Sequence, residues 1–193
     1  TNTGLNTIST ISGTGVSVVK DGVGQWVLTG TARPGQGLTV NQGTLRVNDS
    51  RTIPGTVTIG GTYASGTAAF LLGVGGTTTV QLNVLPGTQQ VLIGGVNGAI
   101  FDFSEIRMGR DATLVAENSS TVTFRNYWTG TSVLDPATRN VTIGAAGYGG
   151  TVLLDFQTGG GVLQTTGTVA VAFGTAKMGA DTTIAPTTPL TIG

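Results

Sequence analysis

Cysteine and histidine are both absent from these 193 residues. Their absence excludes disulfide staples, zinc sites of the Cys/His type and every nucleophilic device built on a Ser-His-Asp or Cys-His pair. Charge is scarce as well: nine basic and nine acidic residues make up 9% of the chain and cancel to zero, where ordinary soluble domains carry roughly 25%. No basic face is therefore available for nucleic acid or anionic lipid. Apolar runs such as AAFLLGV, Ala68 to Val74, fall far short of the ~20 residues of a membrane-spanning helix, so membrane insertion by this segment is not expected. GGxGxD calcium runs are missing too, and no cofactor is implied. The polar opening at Thr1 has no basic stretch followed by an apolar one. A leader was removed, the chain is an excised piece, or export never used that route.

Against these absences stand 33 glycines set in a background of threonine and valine. Threonine and valine favour strands, and glycine costs about 1 kcal/mol per helical position relative to alanine, which predicts an all-β chain. A hydrophobic share of 38% is enough for one sizeable core, so a single domain over residues 1–193 is expected, whole or as a segment of a larger surface protein. Alternating segments bounded by Gly, Pro, Asn or Asp mark the strands: GVSVVK at Gly15, QWVLTG at Gln25, GLTVNQ at Gly37, GTLRVN at Gly43 and TVTIGG at Thr56. Similar segments follow at Thr77, Gln89, Ala112, Ser120, Arg139, Gly150, Gly161 and Thr168.

Strand centres about 8 to 14 residues apart suit either an antiparallel sandwich or jelly roll, or a solenoid. Internal echoes favour the solenoid. TVTIGG at Thr56 returns as VLIGG at Val91, VTIGA at Val141 and LTIG at Leu190, while TIGGTYASGTAAFLL from Thr58 echoes TIGAAGYGGTVLLDF from Thr142. A coil of about 20 to 25 residues then places Val27, Leu38, Val40, Leu45 and Val47 inward, with Thr39, Asn41, Thr44 and Arg46 outward. FDFSEIRMGRD, Phe101 to Asp111, breaks the rhythm and reads as a cap, a helical turn or an insertion loop. NYWTGTSVLDPATRN, Asn126 to Asn140, reads as a second irregular loop.

The stretch KDGVGQWVLTGTARPGQGLTVNQGTLRV, Lys20 to Val47, resembles the autotransporter-associated β-strand repeat of bacterial passenger domains. Lys20, Gly22, Gly24, Trp26, Leu28, Gly30, Thr39, Val40, Asn41, Gly43, Thr44 and Leu45 carry the match, and ARPGQGLT replaces that family's Tyr-x-Gly-x-Thr turn. The resemblance implies a right-handed parallel β-helix with irregular loops, displayed outside a bacterial cell, and transfers no catalytic residue.

Residues able to interact are few. Asp102, Glu105 and Arg107 form the densest charged cluster, readable as a carboxylate pair for glycoside chemistry or as a solvated salt bridge. Tyr127 and Trp128, with Trp26, Tyr63 and Tyr148, could stack on sugars or simply pack against the edge. GVGG at Gly73 and GAAGYGG at Gly144 lack the helix and Gly-Lys-Thr of a phosphate loop and read as corners. Sequons at Asn48, Asn118 and Asn140 arise readily by chance in such a composition. Thr56/Thr58, Thr77/Thr79 and Thr121/Thr123 would form an ice-ordering array only if they align on successive coils. The expectation is a non-enzymatic structural or adhesive protein of the bacterial cell surface, whose partners are copies of itself, neighbouring surface proteins or glycans. The alternatives are a virion decoration or fibre, then a carbohydrate-active β-helix. The uncapped PLTIG end points to end-to-end association or continuation into a longer parent.

Overall fold

A computed structural model describes residues 4–9, 11, 13, 15–29, 36–49, 53–125, 133–137, 139–155, 161–165, 167–179, 182–184 and 190–192. Twenty strands and no helix occur among them. Up to Arg125 the chain alternates between two sheets. It runs through β1 (Leu5–Ile8), β2 (Val18–Lys20), β3 (Gln25–Thr29), β4 (Gly37–Val40), β5 (Gly43–Asn48), β6 (Thr56–Ile59), β7 (Thr67–Leu72) and β8 (Gly76–Val84). Next come β9 (Gln90–Gly95), β10 (Ala99–Met108), β11 (Ala112–Ala116), β12 (Thr121–Arg125), β13 (Val133–Ala137) and β14 (Val141–Ile143). The last are β15 (Thr151–Asp155), β16 (Gly161–Thr165), β17 (Val169–Val171), β18 (Thr175–Met178), β19 (Thr182–Ile184) and β20 (Leu190–Ile192).

Every pairing between these strands is parallel, giving a nine-stranded sheet β1-β3-β5-β7-β9-β11-β14-β17-β20 and an eight-stranded sheet β18-β15-β12-β10-β8-β6-β4-β2. The molecule is a parallel β-solenoid, not the antiparallel sandwich. Coil length sits near the expected range at first: Gln25 pairs with Thr44, and Gly43 with Ala68. It grows where Ala112 pairs with Val141, because these later coils carry a third sheet, β13-β16-β19. The expected loop at Asn126–Asn140 is thereby corrected, since Val133–Ala137 within it is a strand.

Stacked side chains build the core. In the first sheet one inward column runs Trp26, Leu45, Phe70, Ile93, Leu114, Ile143, Val171. Opposite it, Leu38, Val57, Leu82 and Ile106 stack in register. Phe70, Phe101, Phe103 and Phe124 meet between the sheets, with Phe101 and Phe124 stacked at 4.9 Å and 8°. Each such side chain contributes about 1.5–3 kcal/mol by leaving water.

Four of the five expected inward residues lie in this core, but Val27 does not. Its neighbours Trp26 and Leu28 align with Leu45 and Val47, which puts Val27 on the outer face beside Arg46. Val27 is still only 8% exposed. That face carries a second apolar cluster of Ala69, Leu71, Leu92 and Val115, against which Ala145 and Tyr148 pack. The glycine-rich Gly144 segment is thus a corner whose tyrosine lies against the sheet. The long echo between Thr58 and Thr142 does not mark equivalent coil positions either. Thr58 belongs to the eight-stranded sheet and Thr142 to the nine-stranded one.

The expected cap, helical turn or loop at Phe101–Asp111 is also corrected: Ala99–Met108 is the longest strand among the described residues. Its register against β8 shifts between Phe103 and Glu105. Ser104 is the extra residue of a bulge, and one extra residue reverses the alternation. Phe101 and Phe103 face inward before it, and Ile106 and Met108 after it.

Candidate functional site

The bulge decides where the charges of β10 go. Asp102 stands opposite Thr79 on one side and Arg125 on the other, and Glu105 stands opposite Gln81. Arg107 is level with Asn83, so all three expected residues share the outer face of the eight-stranded sheet. Thr79 and Gln81 are one two-residue step apart, which sets the backbones of Asp102 and Glu105 about 7 Å from one another.

Their environments differ. Glu105 accepts hydrogen bonds from Gln81 Nε2 and, at 2.6 Å, from Arg107 Nε. These bonds hold its carboxyl below the ordinary glutamate value. Gln81 in turn accepts from Thr56 Oγ1 at 2.7 Å, making a side-chain ladder across three coils. Asp102 is shifted the other way, because partial burial raises its carboxyl and the nearby Arg125 charge only partly offsets this. Arg125 donates to Thr77 Oγ1 at 2.9 Å. Two carboxyls with divergent acidities resemble an acid and a base. Each oxygen of Glu105 nevertheless already accepts a bond from a neighbour, which holds the carboxylate against Gln81 and Arg107. Clefts of about 390, 660 and 320 Å³ open elsewhere on the molecule, none lined by Asp102, Glu105 or Arg107.

Tyr127 and Trp128 lie outside the described residues. Trp26 packs against the core, Tyr148 lies on the second apolar cluster, and Tyr63 is 40% exposed. Two sequon side chains are occupied: Asn118 Oδ1 accepts from Gly149 N at 2.7 Å, and Asn140 bridges Asp111 and Thr168. The threonine pairs do not align, because Thr56 and Thr58 meet Gln81 and Asn83, and Thr79 meets Asp102. An ice-ordering array is not formed.

Two cations inside the coil were missed by the sequence reading. Lys20 is fully buried, and its Nζ donates to the carbonyls of Gln42 and Asp21, both at 2.9 Å, and of Gly22. Burial lowers its pKa, against the opposing charge of Asp21. Arg110, within the segment read as a cap, a helical turn or an insertion loop, is 3% exposed. Its guanidinium donates to the carbonyls of Leu85 and Pro86, to Gln89 at 3.1 Å and to Gly61 at 3.2 Å. Burial lowers its pKa as well. Gly60 and Gly87 have positive φ, and a Cβ on either would run into that guanidinium. Both cations sit where the chain leaves the eight-stranded sheet for the nine-stranded one, and there they satisfy carbonyls that no ladder reaches. A lysine at a strand end followed by Asp-Gly, and an arginine set between Gly109 and Asp111 just past a strand end, were the available signals.

No protein-family model, curated protein or solved structure gives a significant match to this chain.

Proposed function

We propose that this chain is a non-enzymatic structural or adhesive element of the bacterial cell surface, a rigid rod that presents its faces to copies of itself, to neighbouring surface proteins or to glycans. The reading is carried by the outer ladder of β8 and β10, where Gln81, Glu105 and Arg107 bind one another and line none of the three clefts described above. The continuous hydrophobic columns support reach and stiffness, and the resemblance of Lys20–Val47 to passenger-domain repeats supports the location.

Antibody labelling of intact source cells tests the location, and aggregation or attachment of cells displaying the chain tests the role. Surface signal with enhanced attachment is the expected result. Signal confined to the cell interior or to virus particles would overturn it, as would polysaccharide turnover by the purified chain that Asp102→Asn or Glu105→Gln abolishes.

A further inference from the structure

The corners held by Lys20 and Arg110 stack into a groove of about 660 Å³ on the outside of the coil. It is lined by one stretch from each of four successive corners: Asp21, Asn41, Gly61–Ala64 and Leu85–Thr88. We infer that this groove is a binding subsite for an uncharged saccharide chain laid along the stack of corners. The inference deepens the adhesive reading above and rests on it.

Three kinds of group converge here, and together they match a sugar. Tyr63 provides an exposed aromatic ring, with Leu85 and Pro86 as further apolar wall. The C–H face of a pyranose packs on such a surface. Its phenol donates to Asp21 Oδ1 at 2.7 Å, and the same oxygen accepts Gly22 N at 2.9 Å. Asp21 is thereby fixed in orientation, and Oδ2 has no protein donor among the described residues. The Asn41 side chain rests against Gly61, and its amide makes no hydrogen bond among the described residues. A fixed carboxylate oxygen and an open amide give the acceptor and donor pair that adjacent ring hydroxyls require.

Charge favours a neutral ligand. Asp21 is the one acidic side chain among the residues lining the groove, and the Lys20 ammonium bonded to its carbonyl stands behind it. An anionic sugar would meet Asp21, and a cationic one would meet the field of Lys20. Spacing suits a chain: four corners span three rises of ~4.8 Å, about 14 Å, or roughly one ring per coil. The loops are held from inside, since Lys20 grips Asp21, Gly22 and Gln42 while Arg110 grips Gly61, Leu85, Pro86 and Gln89. Little ordering cost then remains for binding.

The test is calorimetric titration of the purified chain with neutral gluco-, manno- and galacto-oligosaccharides, alongside sialylated and sulfated counterparts. Neutral chains should bind and the anionic ones should bind more weakly. Tyr63→Ala and Asn41→Ala should each weaken binding about tenfold, with Tyr63→Phe losing less, while Thr123→Ala on the eight-stranded sheet changes nothing. Tyr63 is exposed, so its variants should keep the wild-type unfolding midpoint even if Asn41→Ala does not fold. Binding by none of the panel, binding only of anionic sugars, or unchanged binding by Tyr63→Ala would overturn the inference. If that happens while displayed cells still attach to one another, only the saccharide subsite fails. If surface labelling fails as well, the adhesive reading goes with it.

Discussion

Replacing Arg110 by methionine keeps most of the side-chain volume and removes every donor. In ordinary buried ion pairs an apolar replacement of both partners is often neutral or stabilising, because two desolvation penalties vanish together. Here the partners are backbone carbonyls, and these cannot be mutated away. Of the four, those of Leu85 and Pro86 belong to a half-exposed and an exposed residue, so water can replace the guanidinium there. The carbonyl of Gln89, a residue 2% exposed, and the half-buried one of Gly61 are left stranded. Two bonds to a charged donor at about 1.5–3 kcal/mol each, less the relief of no longer burying a cation, leave a loss of about 2–4 kcal/mol. Arg110→Lys keeps the charge, but one ammonium cannot span four carbonyls from two corners, so about half of that loss should remain. Urea unfolding followed by circular dichroism gives the totals. Native-state hydrogen exchange locates them, with faster exchange expected at the amides of Gly61 and Gln90 before the distant β15. A methionine variant as stable as wild type, with unchanged exchange at this corner, would refute the reasoning that carbonyl satisfaction holds the corner together.

The Glu105 carboxyl is depressed below 4.5 by Gln81 and Arg107, so its contribution is present above that pH and is lost as pH falls through the folded value. The stability gap between wild type and Glu105→Gln should be full at pH 7 and close on acidification, as read by urea midpoints across pH. Asp102 has the opposite sign, being raised above 3.8 by burial: relative to Asp102→Asn, wild type should gain stability as pH falls through its folded value. Gly94→Ala would push a Cβ into the Val115 carbonyl, whereas a Cβ at Gly15 meets nothing within 4 Å. Thermal melts should show the first variant strongly destabilised, by about 3 kcal/mol or more, and the second unchanged or up by about 0.4–1 kcal/mol. Phe101→Ala should cost about 3–5 kcal/mol, and a double-mutant cycle with Phe124→Ala should return a coupling of about 0.5–1.5 kcal/mol. A coupling near zero would show that the 4.9 Å stack adds nothing beyond burial.

The strands and their parallel stacking were legible because alternation and glycine punctuation report directly on a pleated backbone with tight corners. Parity was less so. In Trp26-Val27-Leu28 all three residues are apolar, and only the pairing of Trp26 with Leu45 decides that Val27 faces out. Both faces of the nine-stranded sheet are partly covered, so a hydrophobic residue does not announce its side. The segment FDFSEIRM concealed two alternating runs offset by one residue. The offset is visible in retrospect as the adjacent polar pair Ser104-Glu105, and only pairing with β8 shows it to be a bulge. Of the expected interaction residues, Asp102, Glu105 and Arg107 do share a face. Arg110, only three residues beyond Arg107, turns inward because it lies past the strand end, where the chain rounds the corner.

That corner links fold to function. A parallel solenoid satisfies its backbone along the strands and leaves carbonyls converging inside each turn, where no neighbouring coil offers a donor. Glycine alone can shape such a turn but cannot pair its carbonyls. This chain solves the problem twice with a cation reaching in from one strand end, Lys20 across its own turn and the next, Arg110 across three. Because most of the restraint comes from within, the outward side chains of the same loops carry little of it beyond the bonds of Thr88 Oγ1 to the Ala64 carbonyl and of the Tyr63 phenol to Asp21. Asn41 and Tyr63 are free to be selected for what they touch. A sheet face cannot offer that freedom to the same degree: there each outward residue borders two others in register, as Gln81 borders Thr56 and Glu105, and the groups satisfy one another. In a molecule with so little charge, recognition belongs at the internally braced corners, and the sheets supply their spacing.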